Sequence, residues 1–118
     1  MARSAVTVSK MLLYNTAYAV TADAADKTNH HVITASKMEH DRLLIRFLGG
    51  TAKYTATIVA GNFSDSSLGN LAIEVDTTDT KVVCIDSARF LQSDGKINID
   101  LASTGAVTGA TIEAYLLP

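Results

Sequence analysis

The stretch Phe90-Leu91-Gln92-Ser93-Asp94-Gly95-Lys96-Ile97-Asn98-Ile99-Asp100-Leu101 decides the fold class. Ile97, Ile99 and Leu101 leave one side of an extended backbone, and Lys96, Asn98 and Asp100 leave the other. Period-two alternation marks a strand that is buried on one face and wet on the other. Asp94-Gly95 separates this strand from Phe90–Gln92. Asp-Gly between two strands predicts a two-residue hairpin, because both turn positions need positive φ.

The same alternation recurs on both sides of that hairpin. Leu43, Ile45 and Phe47 oppose Arg42, Leu44 and Arg46; Leu71, Ile73 and Val75 oppose Ala72, Glu74 and Asp76; Ile112, Ala114 and Leu116 oppose Thr111, Glu113 and Tyr115. Abundant Val, Ile and Thr suit the pleated backbone. The predicted strands are Val6–Leu13, Tyr18–Thr21, His31–Thr34, Arg42–Phe47, Tyr54–Ala60, Leu71–Val75, Lys81–Ile85, Phe90–Gln92, Lys96–Leu101 and Thr111–Leu116. Gly49-Gly50 marks another turn, Ala22–Asn29 reads as a loop or helical turn, and Gly61–Asn70 reads as a polar loop. No proline precedes Pro118, so no strand is forced to an edge. The expected fold is all-β: an antiparallel β-sandwich or small β-barrel, jelly-roll-like, of about nine or ten short strands. One domain spans residues 1–118, with residues 1–14 an extended N-terminal arm or a first strand.

The 118 residues match the usual single-domain length of about 100–150. Charged residues make up only 19%, against about 25% in ordinary globular domains. That shortage implies surface that meets another protein rather than water. The net charge of −2 draws the chain neither to nucleic acid nor to an anionic membrane. The single cysteine, Cys84, excludes an internal disulfide. Near the N-terminus, Arg3, Lys10, Met11-Leu12-Leu13 and Ala17-Tyr18-Ala19 resemble a signal peptide in outline. Asn15 and Thr16 interrupt the apolar run, short of the roughly 7–15 residues that such a core needs.

Candidate chemistry is sparse. His30, His31 and His40, with Asp26, Glu39 and Asp41, form the only grouping that suggests a metal. Adjacent histidines on a strand face opposite ways, and no H-E-x-x-H pattern is present. A polar edge and loop is the expected reading, with no metal and no cofactor. Cys84 follows Lys81-Val82-Val83 inside a strand, where a cysteine packs as a small hydrophobe and not as a nucleophile. The scattered aspartates fall beside Gly, Ser and Thr, as turn residues do. Gly49-Gly50 and Gly105 to Gly109 lack the spacing of phosphate loops. Tyr14, Tyr18, Tyr54 and Tyr115 are dispersed, so no aromatic platform for sugars is indicated. The expectation is a protein without enzymatic activity.

Two segments stand out as candidate interfaces. Arg42, Leu44 and Arg46 place an apolar side chain between two cations on one side of a strand. Arg3, Val6, Val8, Lys10, Met11 and Leu13 combine cations with an apolar strand that can add to a neighbouring sheet.

His31-Val32-Ile33, Asp41-Arg42-Leu43-Leu44-Ile45-Arg46, Ala88-Arg89-Phe90-Leu91-Gln92-Ser93-Asp94-Gly95 and the ending Ile112-Glu113-Ala114-Tyr115-Leu116-Leu117-Pro118 resemble small head proteins of tailed bacteriophages that decorate or cement the capsid. The likeness covers roughly residues 31–118. It implies a β-rich virion structural protein on the capsid surface, made in the host cytoplasm. It also implies that the chain binds the major capsid protein and itself, as a homo-oligomer with a trimer expected, and has no nucleic-acid or membrane partner. The alternatives are a tail, fibre or head–tail connector component and a carbohydrate-binding β-sandwich module.

Overall fold

The structure, a computed structural model, describes residues 2–11, 13–34, 43–62, 66–85 and 87–117. Its strands are β1 (Ser4–Ala5), β2 (Val8–Lys10), β3 (Asp23–Ala24), β4 (His31–Thr34), β5 (Leu43–Leu48), β6 (Tyr54–Ile58), β7 (Leu71–Val75), β8 (Thr80–Cys84), β9 (Lys96–Ala102) and β10 (Thr111–Leu116). A short helix, α1 (Ser87–Phe90), and a single 3-10 turn, Ser66–Leu68, complete the regular structure among the described residues.

Eight of the strands form a rolled ribbon. β6 pairs with β7, β5 with β8, β4 with β9, and β3 with β10, all antiparallel. Rolling this ribbon brings β10 against β5 and β9 against β6. One sheet therefore runs β4-β9-β6-β7, and the other runs β10-β5-β8 with β3 on the far side of β10. Four nested antiparallel pairs closed in this way define a jelly roll. The two sheets remain a sandwich and do not close into a barrel.

The expected all-antiparallel pairing fails at the N-terminus. β1 runs parallel to β4 and β2 runs parallel to β10, so both sheets are mixed. A single segment borders one sheet and then crosses to the other. Val6, between β1 and β2, fills the crossing and is buried among the core side chains. We call the sheet containing β9 sheet A and the sheet containing β10 sheet B.

The core forms where the inner faces meet. Sheet A contributes Ile97, Ile99 and Leu101 with Tyr54, Ala56 and Ile58; sheet B contributes Leu43, Ile45 and Phe47 with Ile112, Ala114 and Leu116. Cross-strand registers pair Ile99 with Ile58 and Ile45 with Ala114. Each fully buried Ile or Phe contributes about 1.5–3 kcal/mol, so these two faces dominate stability.

Four local expectations need correction. Of the expected strand Val6–Leu13 only Val8–Lys10 pairs, as β2, while Val6 turns inward before it and a separate strand, β1, precedes it. Tyr18–Thr21 forms no strand, and Phe90 ends α1. In place of the expected two-residue hairpin, a three-residue turn leads into β9: Gly95 N–H donates to Gln92 O, Gln92 N–H donates to Lys96 O, and Gly95 alone of the three takes positive φ, at 83°. This is a turn followed by a glycine bulge, which needs left-handed backbone at one residue and not two.

Candidate interaction surface

The two outer faces of the sandwich differ in chemistry. Outside sheet A the register aligns Thr55 with Glu74, Thr57 with Asp100 and Val32 with Asn98, a mostly polar set. Outside sheet B it aligns Tyr115 with Leu44, Leu44 with Cys84, Arg46 with Val82 and Glu113 with Arg46. Val82 is 56% exposed. Apolar groups thus surround one ion pair on a face that a free-standing sandwich usually leaves to water.

That ion pair is well made. One Arg46 guanidinium nitrogen donates to Glu113 Oε1 and Oε2 at 3.2 and 3.0 Å. The Tyr115 hydroxyl also donates to Glu113 Oε1. Burial, followed by the bond to Glu113, raises the Tyr115 phenol above its ordinary range and keeps it a donor. Glu113 is only 7% exposed, so its carboxylate is spent inside the chain. The result is a neutral, rigid centre framed by Leu44, Val82 and Tyr115.

The sheet also has an open edge. Ile85 N–H donates to Leu43 O, and Gly49 N–H donates to Asp79 O. By antiparallel alternation, the main-chain groups of Thr80, Val82 and Cys84 point away from β5. On that outer side β8 has no neighbouring strand among the described residues. Cys84, expected inside, is exposed on the outer face. The run Val82-Val83-Cys84-Ile85 carries no alternation, and its facing is settled only by the register with β5.

The N-terminal candidates separate into internal and external groups. Arg3 donates to His31 O and Ile99 O at 3.1 and 3.2 Å and pairs with Asp100 at 2.7 Å. Val6 is buried and Val8 packs against the core. These three residues fasten the segment to its own domain. Lys10 is exposed, Met11 is half-buried with its N–H on Leu116 O, and Leu13 is 65% exposed. Leu44 and Arg46 lie on the outer face of sheet B, and Arg42 lies outside the described residues.

Sequence reasoning named Met11 and Leu13 but missed the rest of the segment they open. Residues 11–22 carry no charge, although Lys10 and Asp23 flank them. They leave the end of β2 and return to β3 on the same side of β10. Leu13, Tyr14 and Val20 are exposed there, Tyr14 by 76%. Leu13 N–H donates to the Tyr18 hydroxyl, and Asn15 takes positive φ, so the turn has internal structure. Charge depletion with exposed aromatic and apolar side chains is the compositional signature of an interface centre. The uncharged run is readable in the sequence, but its apolar residues suggest a strand and a signal-like core first.

Other chemistry is modest. Among the described residues no group of three or more His, Cys, Asp or Glu side chains is placed to hold a metal ion. His30 and His31 each hold a different backbone N–H, while Glu39, His40 and Asp41 lie outside the described residues. Tyr54 is buried, which pushes its phenol up to about 12; Tyr115 serves Glu113, and Tyr14 stands in solvent. Comparison with protein-family models, curated proteins and solved structures finds no match for the chain.

Proposed function

We propose that this chain is a structural protein of a tailed-phage virion, a capsid decoration or cementing protein that binds the major capsid protein from the outside. The observation that carries this reading is the uncharged segment 11–22, in which Leu13, Tyr14 and Val20 stand in solvent. Burying such a segment under a partner removes apolar surface from water at about 25 cal/mol per Å². The outer face of sheet B adds a second apolar patch, in which Arg46 and Glu113 neutralise each other. Jelly rolls recur in viral capsid and lectin domains, which is compatible with this role but does not select it. The resemblance to small head proteins supplies the partner. The proposed role is adhesive, with no catalysis and no cofactor, and the site of action is the capsid surface.

The test is co-sedimentation with empty shells assembled from the major capsid protein of the same genome. Saturable binding and a raised shell disruption temperature are expected. Binding to purified tails instead would make the chain a tail or fibre component. Exposed Tyr14 favours one further reading, a sugar-binding module, and glycan binding without shell binding would select it.

A further inference from the structure

Two backbone N–H groups in this molecule are held by imidazole nitrogens. Asp26 N–H donates to His31 Nε2 at 2.9 Å, and Leu101 N–H donates to His30 Nδ1 at 3.0 Å. An imidazole nitrogen accepts a hydrogen bond only while it carries no proton. His31 is fully buried, and its other nitrogen, Nδ1, has no hydrogen-bond partner.

The N-terminal segment is fastened around this ring. Ser4 N–H donates to His30 O at 2.9 Å, and Ser4 Oγ donates to Asp26 Oδ2 at 2.7 Å. Arg3 donates to His31 O, Val6 N–H donates to Val32 O, and Thr7 N–H donates to Asp23 Oδ2. We propose that His31 is an acid-sensitive latch: a proton on Nε2 removes the acceptor for Asp26 N–H, and β1, with the chain through Thr7, detaches from β4.

The charges around the ring decide the direction. Asp26 and Asp23 lie on the β3 side, Arg3 on the β1 side and Asp100 on β9, while His30 is the adjacent residue. Burial is the largest effect and, with the neighbouring His30, lowers the His31 pKa, against Asp26, the Ser4 backbone and Asp23, which favour an imidazolium. Asp26 cannot readily turn to accept the new proton. Its oxygens already take bonds from Ser4, from the backbone N–H groups of Thr28 and Asn29, and from the Asn29 side chain. Those bonds hold its carboxyl at about 2, so it stays an anion while the imidazole titrates. A proton is therefore taken up in the opened state before the closed one. Below the ordinary histidine value of about 6.5, the opening constant should rise about tenfold per pH unit until the depressed value is reached.

Amide hydrogen exchange on the labelled full chain between pH 5 and 8, corrected for intrinsic rates, tests this. The opening constants at Ser4 and Val6 should follow pH with a logarithmic slope of about −1 below about pH 6.5, while Ile45 and Ala114 stay flat. In His31→Gln the side-chain carbonyl can accept the Asp26 N–H without titrating, so the slope should vanish. A flat wild-type profile, or a slope that survives in His31→Gln, overturns the proposal. Should that variant not fold, the imidazole titration of wild-type His31 by NMR decides. A midpoint below about 6.5 that coincides with opening at Ser4 supports the latch, and any other result overturns it.

Discussion

Arg46 on β5 and Glu113 on β10 face each other across the centre of sheet B, and one guanidinium nitrogen reaches both carboxylate oxygens, at 3.2 and 3.0 Å. Glu113 is the more deeply buried partner, with 9% side-chain exposure against 38% for Arg46. Loss of the guanidinium strands a buried carboxylate, whereas loss of both charges strands nothing. Arg46→Met is therefore expected to lower the melting temperature. The double variant Arg46→Met/Glu113→Leu should recover part or all of that loss. Thermal unfolding of both variants checks it, and a double variant less stable than Arg46→Met would refute it.

Gly49 ends β5 where the chain passes over the turn between β7 and β8. A Cβ there would land on the carbonyl oxygen of Asp76, with the Thr77 carbonyl beside it. Both obstacles are backbone and cannot swing aside. Gly49→Ala should cost about 3 kcal/mol, the upper part of the range for overpacking. Gly109→Ala is the control, since nothing lies within 4 Å of its Cβ position. Only its positive φ opposes an alanine there, at a cost of about 1 kcal/mol. Chemical denaturation of the two variants gives the comparison.

Cys84 projects from the outer face of sheet B and is exposed. A thiol reagent at neutral pH should modify it in the folded protein, at a rate close to that in denaturant. Cys84→Ser should shift stability by no more than about 0.5 kcal/mol, as for other surface substitutions. Slow labelling of the native chain would mean that the face is covered, and dilution would show whether a second copy covers it.

Tyr54 donates its hydroxyl to Leu48 O at 3.0 Å from inside the core. Burial raises its phenol from 10.0 to about 12. The neutral form is therefore favoured by folding. Its stabilising effect is complete below pH 10 and is lost as pH rises toward 12. Ultraviolet titration should show one tyrosine that ionises late, together with alkaline unfolding. Tyr54→Phe should remove the late step and cost about 1 kcal/mol for the lost hydrogen bond.

The strands whose two faces differ were legible from the residues alone. His31–Thr34, Leu71–Val75 and Thr111–Leu116 appear with the expected bounds as β4, β7 and β10. In β7 and β10 apolar side chains line one side and a turn bounds the strand, so local pattern sufficed, whereas β4 buries His31 beside Ile33. The roll itself was not legible. The pairing of Asp23 with Ile112 and of Val8 with Ala114 joins the two ends of the chain, and no local period encodes it. The Asp94-Gly95 signal located a turn, but the segment before it is no strand, and the turn type depends on whether one residue or two takes positive φ. At the interface candidates, composition could not separate Val6, which serves the core, from Leu13, which stands in solvent. That difference arises where the chain crosses between the sheets.

The most direct test of the proposed role compares shell binding by the wild-type chain and by Leu13→Ser/Tyr14→Ser. Both replaced side chains are exposed, so the variant should keep its fold and melting temperature. With empty shells of the major capsid protein, the wild type should bind saturably. The variant should bind at least about tenfold more weakly, since losing about 1.4 kcal/mol of apolar burial suffices for that. A folded variant that binds as tightly as the wild type would contradict a role for residues 11–22. A wild-type chain that does not bind shells at all would contradict the decoration role itself.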